Sequence, residues 1–168
     1  KEIEPIRGDV SIFFPAKKES SKLKFHINAP FSSTVARDSI VDSAENEEML
    51  ENIVTICQES IHQIRDMGLL TPVFFDVIPN LDDELDHFYM PIFRGLVEEF
   101  SSRENKLIPL KDGSYGSVDR SVFCSRRVSD TFIDKEDLNI LFDDETLDGF
   151  AIPHVNGSRY EKFLSPLI

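Results

Sequence analysis

Arg37 is the only basic residue between Lys24 and Arg65. It lies in Asn28–Ile40, Asn-Ala-Pro-Phe-Ser-Ser-Thr-Val-Ala-Arg-Asp-Ser-Ile, a stretch whose Pro30 and Phe31 stop regular structure and whose Ser32, Ser33 and Thr34 supply hydroxyls. A guanidinium stays charged at every physiological pH and offers paired N–H donors in the geometry of phosphate or carboxylate oxygens. Held on a shaped loop, Arg37 can be presented to an anion. The competing reading pairs it with Asp38 or Asp42, since arginine–carboxylate pairs are commonplace.

The other chemically capable residues lack the spacing that chemistry needs. His26, His62, His87 and His154 are far apart, without the His-x-x-x-His step that puts two ligands on one helix face. Asp82-Asp83-Glu84 and Asp143-Asp144-Glu145 read as acidic first turns of helices, because the glycine-bearing oxygen loop of a calcium site is missing. No metal site is expected. Cys57 falls on an apolar helix face, which suits a core residue better than a nucleophile. The chain has no Gly-x-Ser-x-Gly elbow, phosphate loop or Gly-x-Gly-x-x-Gly, and Lys111–Gly116 has the spacing of a turn.

The elements that must position Arg37 are partly legible. Val10–Phe14 is β-branched and aromatic up to Pro15, and Lys22–Asn28 alternates Leu23, Phe25 and Ile27 with Lys22, Lys24, His26 and Asn28. These read as two strands joined by the polar link 15–21 in a hairpin, with Lys17 and Lys18 at its tip. Ala29–Ser39 reads as a loop. Met49, Leu50, Ile53, Val54, Ile56, Cys57, Ile61 and Ile64 recur at helical spacing, so a helix spans about 45–67, capped by Ser43 or Asn46 and stopped at Gly68. Thr71-Pro72 opens a short segment to Ile78, either a helical turn or a buried strand. Residues 82–103 read as a second long helix that Pro91 kinks or restarts. Lys106–Lys111 reads as a short strand before the Asp112–Ser117 turn. Short helices are expected at Ser129–Phe142 and Ser158–Leu164, with 143–156 the least regular. The fold class is α/β of the α+β kind: an N-terminal hairpin packed with two long helices, then short helices and loops. It reads as a single domain, with the strands and arginine loop in 1–40, a helical part in 41–104 and an irregular part in 105–168.

The 168 residues carry a net charge of −13, which is unsuited to phosphate backbones or anionic lipid, so neither nucleic acid nor a membrane surface is an expected partner. That excess is local: residues 1–37 are net +3, 38–104 net −13 and 105–168 net −3. Two cysteines form no disulfide framework, no apolar run reaches the roughly 20 residues of a bilayer span, and the cytoplasm is the default compartment. The chain opens on Lys1, which reads as a segment of a longer protein. Fourteen phenylalanines exceed what a small core needs, so one or two are expected at a partner surface.

Phe13-Phe14-Pro15, then Leu23-Lys24-Phe25-His26-Ile27-Asn28-Ala29-Pro30-Phe31 and Arg37-Asp38, followed by the acidic stretch and long helix, resemble a segment of sacsin-like proteins. Those carry ATP-binding regions related to the ninety-kilodalton heat-shock chaperones of the GHKL ATPase superfamily. The resemblance covers about residues 10–68, with a fainter continuation over 105–125. The acidic-residue/Asn helix and Asp-x-Gly-x-Gly turn of that superfamily's nucleotide pocket are missing. The resemblance therefore implies a middle, transducer-like module downstream of the pocket, which would not bind ATP alone. ATP and Mg would belong to the parent protein, the partner would be its upstream ATP-binding domain, and a polypeptide client would follow. It implies Arg37 as the catalytic contact to the γ-phosphate, Lys17 and Lys18 as secondary phosphate contacts, and Pro30, Phe31, Ser33 and Thr34 as loop-shaping residues. This sequence has Ala-Arg-Asp where the family often has two basic residues, so one cation remains. The alternative is a non-catalytic protein-interaction module.

Overall fold

Phe13 adopts a left-handed backbone (φ 59°), and that one residue sets the topology of the N-terminal sheet. In the computed structural model, which describes residues 2–130 and 135–168, the chain reverses at Phe13. Strand β1 (Val10–Ile12) thus runs antiparallel to β2 (Phe14–Pro15), with Ile12 opposite Phe14. The 16–26 link then reverses the chain again, so β3 (Ile27–Asn28) lies parallel to β1, Val10 opposite Ile27. The expected hairpin between Val10–Phe14 and Lys22–Asn28 is therefore replaced by a three-stranded sheet in the order β2-β1-β3. The reversal falls inside the first apolar run, where no glycine or asparagine marks it.

The alternation in Lys22–Asn28 is nonetheless real. Leu23 and Ile27 are buried and Lys22 and His26 exposed, although only Ile27–Asn28 joins the sheet. Residues 23 and 24 pair instead with the N-terminal segment, where the Gly8 and Ile6 amides donate to the Leu23 and Lys24 carbonyls at 3.0 Å. A side chain at Gly8 would meet the Phe25 oxygen at 2.3 Å, so only glycine fits that approach.

Helix α1 (Ala44–Asp66) has its start where the sequence places it. Ser43 is extended and its hydroxyl accepts the Asn46 amide at 3.3 Å, while Gly68, at φ 69°, follows the end. Leu50 and Ile61 are buried, and Met49, Ile53, Val54, Cys57 and Ile64 pack against the core. Ile56 departs from the expected apolar face: it is 59% exposed, because its position turns past the edge of the stripe.

Residues 72–78 resolve to a 3₁₀ turn, Pro72–Asp76, that buries Phe74 and Phe75; Thr71 gives it no side-chain cap. The expected helix over 82–103 is instead three pieces. Leu81–Asp83 and His87–Tyr89 are 3₁₀ turns, and only Met90–Ser101 is α-helical (α2). Glu84 is left-handed (φ 50°), which breaks the first part, and Pro91 sits in the first turn of α2, where its missing N–H costs nothing.

Strand β4 (Ile108–Pro109) and β5 (Tyr115–Gly116) form an antiparallel hairpin that turns through Gly113 (φ 85°). Strand β6 (Ser121–Val122) pairs in parallel with β7 (Gly149–Phe150), so the stretch expected to be least regular contains a buried strand. Its partner lies far upstream, and two residues give no periodicity to read. The helix expected over Ser129–Phe142 is represented by α3 (Arg126–Ser129) and α4 (Lys135–Phe142); positions 131–134 lie outside the described residues. Helix α5 (Arg159–Leu164) is capped by Ser158, and a final turn spans Ser165–Leu167.

The fold is thus mixed α+β. One contiguous buried cluster draws on all three parts of the chain, from Val10 through Leu50, Ile92 and Ile108 to Leu164. Its centre is aromatic: Phe75 meets Tyr160, Phe100 and Phe163 edge-on at centroid distances of 4.7, 5.5 and 5.6 Å. Among the described residues, no helix is long and apolar enough to cross a membrane.

Candidate functional site: a latched hairpin carrying Arg37

The loop from Pro30 to Asp42 is itself a small hairpin anchored at its base. Phe31 is buried, its ring 5.9 Å from Phe88 in an edge-to-face contact. Beyond it, Ser33 bridges Ile40 in antiparallel fashion, the Val41 amide donates to the Ser32 carbonyl at 3.0 Å, and the Thr34 amide to the Ser39 carbonyl at 3.1 Å. The Arg37 amide closes the turn on the Thr34 carbonyl at 2.8 Å. Arg37 itself is left-handed (φ 56°), the position a three-residue hairpin turn gives to the residue after its tight bend.

Asn46 holds the base of this hairpin to α1. It is 1% exposed, its Oδ1 accepts the Ser32 amide at 2.7 Å, and its Nδ2 donates to the Ser32 and Val41 carbonyls at 2.8 and 2.6 Å. One side chain thus satisfies three backbone groups from both arms, a demand that buried polar groups must meet. The sequence offers Asn46 as a helix cap, and that reading does not reach this wider role. The signal available is a polar residue in line with the start of the apolar stripe, three and four residues before Met49 and Leu50.

A second tie comes from the turn at residues 16–19, which contains Lys17 and Lys18. These lysines do not cap a hairpin between β1 and β3, because that hairpin does not exist; the turn instead follows β2. There the Lys18 amide donates to the Asp38 carbonyl at 2.8 Å, and the Lys18 Nζ lies 2.6 Å from Asp38 Oδ2. Glu19 adds a third link: its Oε1 accepts the Ile40 amide at 2.7 Å, while its Oε2 accepts the Tyr89 hydroxyl at 3.3 Å. Burial, reinforced by the Glu19 charge, pushes the Tyr89 phenol well up, so that hydroxyl stays a donor.

These contacts engage Asp38 with groups other than Arg37. The Lys18 ammonium, with the Thr34 hydroxyl at 3.1 Å, holds the Asp38 carboxyl below its ordinary range. Asp38 is therefore occupied by Lys18. Among the described residues, the exposed Arg37 guanidinium has no hydrogen bond or ion pair, to Asp38, Asp42 or any other group. Lys17 is likewise exposed on the neighbouring turn. The structure sets Lys18 against Asp38, the residue next to Arg37 in the chain. Of the loop-shaping residues, Pro30 and Phe31 lead into the hairpin, Ser33 acts through its backbone and Thr34 braces Asp38.

The remaining candidates are structural. Asp83 takes both terminal nitrogens of Arg159 at 2.7 Å and the Asn80 amide at 2.8 Å, and Asp82 pairs with Lys162. His62 meets Glu99 at 2.6 Å between α1 and α2, and His26 Nδ1 accepts the Asp9 amide at 3.0 Å. Burial pushes the Cys57 thiol up to about 11, which keeps it protonated and unreactive. Among the described residues, no three His, Cys, Asp or Glu side chains are grouped to hold a metal ion.

The arrangement defines a small α+β unit that projects a braced, cation-tipped hairpin. No family model, curated protein or solved structure matches the chain.

Proposed function

We propose that this chain is the middle, transducer-like module of an ATP-dependent, chaperone-like cytoplasmic protein. In this reading Arg37 is supplied to the γ-phosphate of ATP, bound with Mg by an upstream domain of the same protein. The observation that carries the reading is an exposed arginine on a multiply anchored tip, left without a carboxylate because Lys18 occupies Asp38. A guanidinium seated at a transferring phosphoryl group stabilises the charge that develops there, and an anchored backbone leaves only the arginine side chain to be ordered on contact. Lys17 and Lys18 would add positive potential beside it, Lys18 in a reduced share because of its ion pair. The resemblance to sacsin-like proteins supports the same assignment.

In the protein with its nucleotide domain, Arg37→Ala is expected to lower ATP turnover at least about tenfold while nucleotide affinity stays nearly constant. Unchanged turnover would sink the catalytic role. A second reading, an interaction module without catalytic part, is favoured by the exposure of Phe13 (81%) and Phe14 (63%) at the β1–β2 reversal. It predicts wild-type turnover in the Arg37 variant and loss of polypeptide client binding on Phe13→Ser.

A further inference from the structure

On the side of the hairpin facing α1 and the His87–Tyr89 turn there is a groove of about 610 Å³. Its floor is apolar: Leu50 is buried, Ile40, Phe88 and Pro91 are half-buried, and Val41 is exposed. Its lining carries the carboxylates of Glu19, Asp42, Glu47, Glu51 and Asp86 against one imidazole, the exposed His87, and no lysine or arginine. Glu19 is spent on Ile40 and Tyr89, and Asp86 accepts the Phe88 amide. Asp42, Glu47 and Glu51 have no hydrogen bond or ion pair from their carboxylates among the described residues.

We infer that this groove docks a polypeptide segment in which lysine or arginine residues flank an apolar side chain. The apolar floor gains by covering with an apolar group, and the lining's uncompensated charge selects cations on either side of it. Among the described residues these carboxylates form no cluster that could hold a metal ion, which suits separate ammonium or guanidinium groups on one chain and not a single bound ion. Two other cavities among the described residues lack this match. One, of about 680 Å³, already balances Lys24 and Arg159 against Asp83, and the other, of about 420 Å³, is almost wholly apolar. The inference is independent of the Arg37 assignment, because it concerns binding and not turnover.

The test is fluorescence anisotropy with a short labelled peptide in which lysines flank a central Leu-Phe pair, alongside light scattering of the protein alone. Binding in the range of about 10–100 μM is expected, as for a small transient contact. It should weaken at least about tenfold on raising salt from 0.05 to 0.5 M, as screening requires. Glu47→Lys with Glu51→Lys should abolish it, and the milder Glu47→Gln with Glu51→Gln should weaken it severalfold with circular dichroism unchanged. Replacing Leu-Phe by Ser-Ser should also weaken binding severalfold. Absent binding, or binding indifferent to the Glu47 and Glu51 changes, overturns the inference. Equal binding of the Ser-Ser peptide overturns it too, by reducing the contact to unspecific charge attraction. A dimer that the charge reversal dissociates also overturns it, since a second copy of this chain would then be the occupant.

Discussion

At Arg37 the backbone and the side chain ask for different residues. A non-glycine residue in the left-handed region carries a steric cost of about 1–2 kcal/mol that glycine avoids, partly offset by glycine's greater freedom in the unfolded chain. If the guanidinium served only to maintain the turn, losing it would destabilise the protein. The structure gives it no such work, since the amide closes the turn and Asp38, Asn46 and Glu19 brace the arms. Arg37→Gly is therefore expected to raise stability by about 0.5 kcal/mol, while Arg37→Ala leaves it within about 0.3 kcal/mol. Urea midpoints at constant slope measure both. A fall of more than about 1 kcal/mol in each would show a structural arginine, and would weaken the argument that the residue is kept strained for what it contacts outside the chain.

At the scale of elements, the main packing contact is between α1 and α2, and Gly95 makes it close. A Cβ there would lie 2.4 Å from Val54 Cγ1, while Gln58 Nε2 donates to the Gly95 carbonyl at 3.0 Å across the same junction. Gly95→Ala gains about 1 kcal/mol of helix propensity but must push apart two packed helices at a β-branched side chain, which costs about 1–3 kcal/mol and more where neither can yield. The net expectation is a loss of up to about 2 kcal/mol, with Val54→Ala in the same chain recovering at least about 1 kcal/mol of coupling in a double-mutant cycle. Simple additivity would show that the helices separate freely there. What the sequence made legible at this scale follows from range. α1 could be read because its stripe, its Ser43 cap and its Gly68 stop are all local. The breaks in 82–103 could not, because Asp82 and Asp83 look like a helix's acidic first turn but are committed to Lys162 and Arg159, respectively, on α5. The parallel pairing of β1 with β3 was hidden for a similar reason: it hangs on the backbone angle of Phe13. In the candidate site, Arg37 was readable as an isolated cation on a loop. Asn46 and Glu19, which hold that loop, act on backbone groups that no side-chain pattern records.

At the scale of the whole molecule, the net −13 hides a few carboxylates on which the fold depends. Asp83 joins the first half of the chain to its last helix: the side chain is only 5% exposed and is bidentate to Arg159, whose Nη2 also donates to the Ile78 carbonyl at 2.6 Å. Desolvation is the largest single influence on Asp83 and pushes its carboxyl upward. The Arg159 and Asn80 hydrogen bonds and the Arg159 and Lys24 charges together outweigh it and hold the group below its ordinary value. A carboxyl whose folded value is depressed adds stability that is complete above the unfolded value, about 3.9, and is lost as pH falls through the folded one. Asp83→Asn stays neutral throughout and leaves Arg159 unpaired, so it should cost about 3 kcal/mol near neutral pH. The gap between the two proteins should narrow as pH drops below about 4, since the wild type then loses its own pair. Replacing both partners, Asp83→Leu with Arg159→Met, should recover most of that loss, because two apolar side chains have no desolvation to offset. Urea unfolding of the three variants at pH 7 and about pH 3 reads all of this. A gap near zero at both pH values would mean that the Asp83 charge does not tie α5 to the helical part, and that the other contacts there, Lys162 with Asp82 and Phe75 with Tyr160 and Phe163, hold that junction.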